Sequence, residues 1–266
     1  MKIVHDIASL RAAAAALGPL ALVPTMGSLH AGHVSLVRLA RRHAGAVAVS
    51  IFVNRLQFAP QEDFERYPRS FEADRRLLDS EGVELLFAPA ENVLYPRPQT
   101  VVVHSGPLGE ELEGRFRPGF FRGVSTVVLK LLNAVQPAAA VFGKKDYQQL
   151  AVVREMVRQL DLPIGIVAGE TAREADGLAM SSRNAYLSAT ERAEAPRLYR
   201  LQQAITAGTN TASEAFDELV RAGWRPDYVE VRRRADLSVP RPEDRDRVVL
   251  GAARLGATRL IDNLEF

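Results

Sequence analysis

Cysteine is absent from the 266 residues. There is therefore no disulfide framework, no thiolate nucleophile and no zinc site built on cysteine, and the chain fits a reducing compartment. No stretch approaches the ~20 apolar residues needed to span a bilayer. The first ten residues carry His5 and Asp6 and lack the uninterrupted apolar run of a secretory signal. These absences lead us to expect a cytoplasmic protein with no membrane partner. An excess of one charge is also missing. Lys and Arg number 34 against 32 Asp and Glu, and the net charge is +2. The basic residues are spread along the chain rather than gathered in a tract, which argues against nucleic acid as a partner. Walker A and G-x-G-x-x-G patterns are absent too, so any bound ATP must have its phosphates held by another device.

What remains is an ordinary globular composition, 47% hydrophobic and 25% charged, at a length that suits one large domain and a smaller one. Short β-rich runs at 20–26, 46–53, 83–88, 100–104, 138–142 and 164–168 alternate with helical patterns at 34–43, 70–80, 124–135 and 147–160. That alternation predicts an α/β fold with an open parallel sheet covered by helices on both faces. The character changes after Gly169. A polar segment at 172–184 shows no periodicity. It is followed by a helix at 188–207 opened by Ser188 with Glu191 three residues on, a helix at 213–221, and strand-like runs at 228–232, 247–252 and 259–261. The expected division is a domain at 1–171 and a small α+β domain at 172–266.

Four constellations carry chemistry. The run Pro24-Thr25-Met26-Gly27-Ser28-Leu29-His30-Ala31-Gly32-His33 lies where the first buried strand gives way to a helix. Ligands of open α/β sheets sit at such carboxyl ends. His30 and His33, three apart, share a face at a helix N-terminus that already favours an anion, and Gly32 lets a phosphate approach the backbone. Imidazoles there can donate to a triphosphate as charge moves onto a leaving pyrophosphate. A pair of histidines that merely caps a helix is the plainer alternative. Gly143-Lys144-Lys145-Asp146, again at a strand end, suits backbone contact, phosphate neutralisation by Lys145 and ribose binding by Asp146, or else a solvated turn. Met180-Ser181-Ser182-Arg183 offers two hydroxyls and a guanidinium fork to phosphate oxygens, in a loop that would close over ATP or in a simple linker. Asn54 and Gln57, at the end of the second strand, are neutral amides that can hold a substrate's oxygens, or turn residues.

Taken together, these segments resemble the pantothenate synthetases, the AMP-forming pantoate:β-alanine ligases of the HxGH nucleotidyltransferase superfamily. The resemblance also runs through Arg66-Tyr67-Pro68-Arg69, Phe121-Arg122-Gly123-Val124-Ser125-Thr126, Asp146-Tyr147-Gln148-Gln149, Arg173-Glu174-Ala175-Asp176-Gly177-Leu178-Ala179-Met180 and Leu260-Ile261-Asp262-Asn263. H-x-G-H alone marks the superfamily, whereas these segments in this order point to one family.

The resemblance implies a Rossmann-like domain that binds ATP and pantoate, with a C-terminal lid. It implies ATP-dependent joining of pantoate to β-alanine through a pantoyl-adenylate, a homodimer, and Mg²⁺ as the triphosphate's counter-ion. Met26, Gly27, Ser28, Leu29, His30, Ala31, Gly32 and His33 are then expected to line the ATP site. So are Gly143, Lys144, Lys145, Asp146, Ala172, Met180, Ser181, Ser182 and Arg183. His33, His30, Lys145, Ser181, Ser182 and Arg183 are the expected catalytic groups. Gln57, Gln149, Asn54 and Met26 are expected at pantoate, and Asp74 is a candidate Mg²⁺ ligand. Arg55, where the family usually has proline, and Lys144, where glutamate is frequent, depart from the pattern. Two rival readings follow from the same motifs: another HxGH adenylyltransferase or a fragment related to class I aminoacyl-tRNA synthetases, and a non-catalytic nucleotide sensor.

Overall fold

The computed structural model describes residues 1–60 and 62–266. They fall into two compact units, Met1–Gly143 with Gln149–Gly169, and Lys144–Gln148 with Glu170–Phe266. The division expected at 171/172 leaves 144–148 in the first domain. In the structure this piece is grouped with the second unit, where the Asn263 side-chain amide donates to the carbonyls of Lys144 at 2.8 Å and Lys145 at 2.9 Å.

The first unit is built from β1 (Lys2–Val4), α1 (Ile7–Leu17), β2 (Leu20–Thr25), α2 (Ala31–Arg41), β3 (Ala46–Ile51), α3 (Phe71–Ser80), β4 (Leu85–Phe87), α4 (Glu91–Leu94), α5 (Glu113–Phe116), α6 (Phe120–Val135), β5 (Ala139–Gly143), α7 (Tyr147–Gln159, whose first two residues belong to the second unit) and β6 (Gly165–Gly169). Its six strands form one parallel sheet in the order β1-β4-β3-β2-β5-β6. Because successive side chains point to opposite faces, β2 feeds two cores at once. Leu22 packs with Leu10, Phe87, Leu132 and Val153 on one face, and Val23 with Val37, Val49, Leu78 and Leu86 on the other. Burial on both faces explains the almost uninterrupted apolar sequence of these strands. The order turns around between β2 and β5. The strands that follow β2 build outward on one side, and β5 and β6 on the other, which leaves a crevice at the carboxyl ends of this central pair.

Two expectations fail here. Residues 100–104 form no strand: Val101 is 80% exposed, and the Val103 N–H donates to the Thr126 hydroxyl rather than to a neighbouring strand. Conversely, β1 is a strand that three residues were too short to announce by alternation; it pairs with β4.

The second unit carries α8 (Ala189–Glu194), α9 (Arg197–Thr206), α10 (Ala212–Arg221), β7 (Arg225–Arg233), β8 (Arg247–Leu255) and β9 (Thr258–Glu265), the strands forming an antiparallel sheet in sequence order. Leu198, Leu201, Leu219, Trp224, Val249 and Leu260 belong to its core. Ser188 and Glu191 make the expected reciprocal cap. The single helix expected at 188–207 is two, α8 and α9, because Pro196 has no N–H to continue the ladder. The β8–β9 hairpin turns on two residues, with Gly256 at φ +57° in the first central position. Among the described residues no helix is long and apolar enough to cross a membrane.

One glycine ties the first unit's packing to its chemistry. Gly123 of α6 lies against the 3-10 turn Arg55–Gln57, and a Cβ there would run into the backbone of Leu56 and Gln57. We predict that Gly123→Ala destabilises the fold by about 1–3 kcal/mol, the usual cost of overpacking, as measured by chemical denaturation. An unchanged unfolding midpoint would contradict this packing.

Candidate active site

The turn after β2 is held from several directions. The Thr25 hydroxyl donates to the Ser50 carbonyl at 2.7 Å and accepts from the Gly27 N–H at 3.2 Å. Gly27 at φ +85° and Ser28 at φ +52° are both left-handed. For Ser28 this costs on the order of 1–2 kcal/mol, so neighbours must enforce the turn. Asp74, 3% exposed in the first turn of α3, does so: its carboxylate accepts the N–H groups of Ser28 at 2.9 Å and Leu29 at 2.8 Å and the Ser70 hydroxyl at 3.1 Å. No local pattern in the sequence points to this clamp, since the partners are more than forty positions apart.

The turn delivers His30 in extended conformation as the N-cap of α2, which begins at Ala31 rather than at the expected 34. The imidazole centroids of His30 and His33 are 4.2 Å apart. His30 Nδ1 accepts from the Gly32 N–H at 3.2 Å, and His33 Nδ1 accepts from the His30 N–H at 3.3 Å. A backbone N–H can only donate, so in the neutral rings both Nδ1 atoms are acceptors and both protons sit on Nε2. The pair thus caps the helix, as the plainer reading of the motif has it, with each Nδ1 bound to a backbone N–H.

On the same unit, Gln57 lies half-buried with its amide nitrogen 3.1 Å from Met26 Sδ. Asn54, expected as a second substrate contact, is bonded to protein groups in this structure. It is 1% exposed, its amide nitrogen donates at 3.1 Å to Gln57 Oε1 and to the Gly123 carbonyl, and its oxygen accepts from Tyr95 Oη at 2.8 Å. Burial, with Glu91 adding to it, raises the Tyr95 pKa, so the phenol remains a donor. Asn54 therefore supports Gln57. Gln149 lies half-buried near the start of α7. Arg55 caps the ring of Phe64, 3.9 Å from its centroid, and pairs with Glu65 and Glu91, contacts that restrain the turn where a proline would. A cavity of about 440 Å³ in this unit is lined by Met26, Gly27 and Asp74 among others, but not by His30, His33, Gln57 or Gln149.

Asp74 does not fit a resident Mg²⁺ site. Three donors already occupy its oxygens, and among the described residues no group of three His, Cys, Asp or Glu is placed to hold a metal.

In the second unit, Lys144–Asp146 forms a 3-10 turn whose backbone Asn263 holds. The Lys144 ammonium is committed to Glu170 at 2.6 Å and Glu265 at 2.9 Å, and Tyr147 Oη donates to Glu265 at 2.7 Å. Burial works against the Lys144 charge, but hydrogen bonds to the two carboxylates more than offset it and raise its pKa. Burial, followed by Glu265, pushes the Tyr147 phenol up to about 12. The segment that begins at Ala172 is a hydrogen-bonded hairpin with Arg173 paired to Ala179, and the Met180 N–H donates to the Ala172 carbonyl at 2.9 Å. Arg173 grips Asp262 with two bonds of 2.6 and 2.9 Å. Gly177 at φ +93° has no room for a Cβ beside the Tyr199 ring. Ser181 caps the 3-10 turn Ser182–Tyr186, accepting from the Arg183 N–H at 3.3 Å.

A parallel sheet with an H-x-G-H turn at its switch point defines the class of HxGH nucleotidyltransferases. The sequence profile of the family described as pantoate-beta-alanine ligase matches residues 2–265. Pantothenate synthetases of Nitrosospira multiformis and Thiobacillus denitrificans are 56% and 58% identical across all of this chain and cover 98% and 97% of their own length. The crystal structure of the Thermus thermophilus pantothenate synthetase superposes with a TM-score of 0.93 at 46% identity, over 100% of this chain and 99% of that one. The Francisella tularensis pantoate-beta-alanine ligase, whose crystal structure holds beta-gamma ATP and beta-alanine, superposes at 0.87 with 31% identity, over 100% and 97%. The chain belongs to the pantoate–β-alanine ligase family.

Two outcomes follow from this geometry. Asn54→Ala leaves the Tyr95 hydroxyl without its acceptor and removes the second donor to the Gly123 carbonyl; we expect a loss of about 1–3 kcal/mol in stability and a raised KM for the acid substrate, both measurable on purified variants. Glu265 has its pKa lowered from 4.5, because hydrogen bonds from Lys144 and Tyr147 outweigh the opposing effect of burial, the largest single influence. Its contribution is full above pH 4.5 and is lost as pH falls through the lowered value. The melting-temperature gap between the native chain and Glu265→Gln should shrink across that window.

Proposed function

We propose that this ligase condenses pantoate with β-alanine at the expense of ATP, through a pantoyl-adenylate, and releases pantothenate, AMP and pyrophosphate. The observation that carries the reading is the H-x-G-H turn, locked with both imidazole protons on Nε2 at the switch point of the sheet, in a chain of this family. A pantoate carboxylate oxygen attacks the α-phosphorus of ATP. The bond to the bridging oxygen of the β-phosphate breaks, and pyrophosphate departs with that electron pair. His30 and His33 donate through Nε2 to the phosphate oxygens on which charge builds. The reading also assigns Lys145, Ser181, Ser182 and Arg183 to these phosphates, and Gln57 and Gln149 to pantoate. The amine of β-alanine then attacks the adenylate carbonyl, expels AMP and loses a proton. No protein nucleophile takes part, so the missing cysteine removes nothing from the chemistry. Positioning and exclusion of water are the protein's main contributions. Mg²⁺ belongs to this reading as the counter-ion that ATP brings with it, and a cytoplasmic homodimer as the working state.

Isotope exchange between pyrophosphate and ATP should occur with pantoate present and β-alanine omitted; its absence would exclude the adenylate. His33→Ala and Lys145→Ala should each lower turnover by about 10²–10³-fold, the usual loss when a transition-state donor is removed, with unchanged circular dichroism. Normal rates in both would remove these residues from their roles.

A further inference from the structure

We propose that Asp74 is a positioning residue rather than a metal ligand: its buried carboxylate clamps the backbone of Ser28 and Leu29 and so fixes which nitrogen of His30 and of His33 carries the proton. The inference deepens the reading given under Proposed function and rests on it for its consequence in turnover.

The chain of causes is short. Asp74 sits in the first turn of α3, where its N–H bonds to the Ser70 carbonyl at 2.9 Å and its carboxylate faces away from solvent, toward the turn after β2. Oδ2 takes the Ser28 N–H and Oδ1 takes the Leu29 N–H together with the Ser70 hydroxyl. Hydrogen bonds to an ionised acceptor are stronger than neutral ones, and these two fall on successive peptide groups, one of them belonging to the left-handed Ser28. The fit is close: a Cβ on Gly27 would lie 3.1 Å from Asp74 Oδ2. The next residue is His30, whose backbone N–H must point at His33 Nδ1, while its own ring must meet the Gly32 N–H. If the turn relaxes at Ser28, both N–H to Nδ1 contacts open, and the backbone restraint that keeps the proton off Nδ1 is lost. A ring with its proton on Nδ1 offers Nε2 as an acceptor, which repels a phosphate oxygen.

Only a carboxylate serves. An amide has one acceptor oxygen, and its NH₂ would face a backbone N–H. Asp74→Asn is therefore the informative variant. It should be compared with the native full-length chain by ¹⁵N NMR of labelled histidine without substrate, and by AMP release with MgATP, pantoate and β-alanine. The native protein should show His30 and His33 as Nε2–H tautomers. Asp74→Asn should show an Nδ1–H population at one or both rings. Its kcat should fall by at least tenfold with little change in the KM for ATP, and a tenfold higher Mg²⁺ concentration should not restore it. Adding Ser28→Gly, which accepts the left-handed backbone without strain, should recover several-fold of the lost turnover and serves if the single variant proves unstable. Unaltered ring tautomers, or full recovery with added Mg²⁺, would overturn the proposal. If the native chain releases no AMP, the functional reading fails, while the ring spectra still decide the role of Asp74.

Discussion

The parallel sheet must reverse its strand order somewhere, and in this protein it does so between β2 and β5. Helices cover its two faces, so the remaining concave ground lies at the carboxyl ends of this central pair. The strands there are packed on both sides and cannot move independently: Leu22 and Val23 are each fully buried, in different cores. The turn that leaves β2 thus starts from a fixed point. Its conformation is unfavourable in itself, with two left-handed residues in a row, and a buried carboxylate from a distant helix stabilises it. Rigid strands, a strained turn and a charged clamp together set the two imidazoles.

The same logic recurs among the amides. Asn54 looks like a ligand-binding group in the sequence because it is polar and stands at a strand end. Its burial and its three partners make it a support for Gln57 and a link to the close approach of α6. In the second unit, Asn263 and the Arg173–Asp262 pair anchor the segments that hold Lys145 and Ser181. None of these supporting groups needs to touch a substrate in order to matter, because catalysis that relies on placement degrades when the scaffold shifts.

The two departures from the family pattern have local explanations. Arg55 replaces the stiffness of a proline with an ion-paired guanidinium stacked on Phe64. Lys144 is neutralised by Glu170 and Glu265 and is not an isolated new charge.

By itself the sequence determined the class of fold, the central strands, the H-x-G-H turn and the order of the motifs, because apolar periodicity and short glycine-containing motifs are local properties. It overstated 100–104 as a strand because β-branched residues cluster there without a neighbour to pair with, and it passed over Pro196 inside an otherwise helical pattern. Only the tertiary structure decided what Asp74, Asn54 and Lys144 do. Each is a polar residue whose meaning depends on partners far away in the chain, and a carboxylate reads alike as a surface acid, a metal ligand or a buried clamp until burial and the donors around it are known. Long-range hydrogen bonds leave no periodic trace in sequence, which is why the residues that hold the H-x-G-H turn and Gln57 in place emerged only from the folded chain.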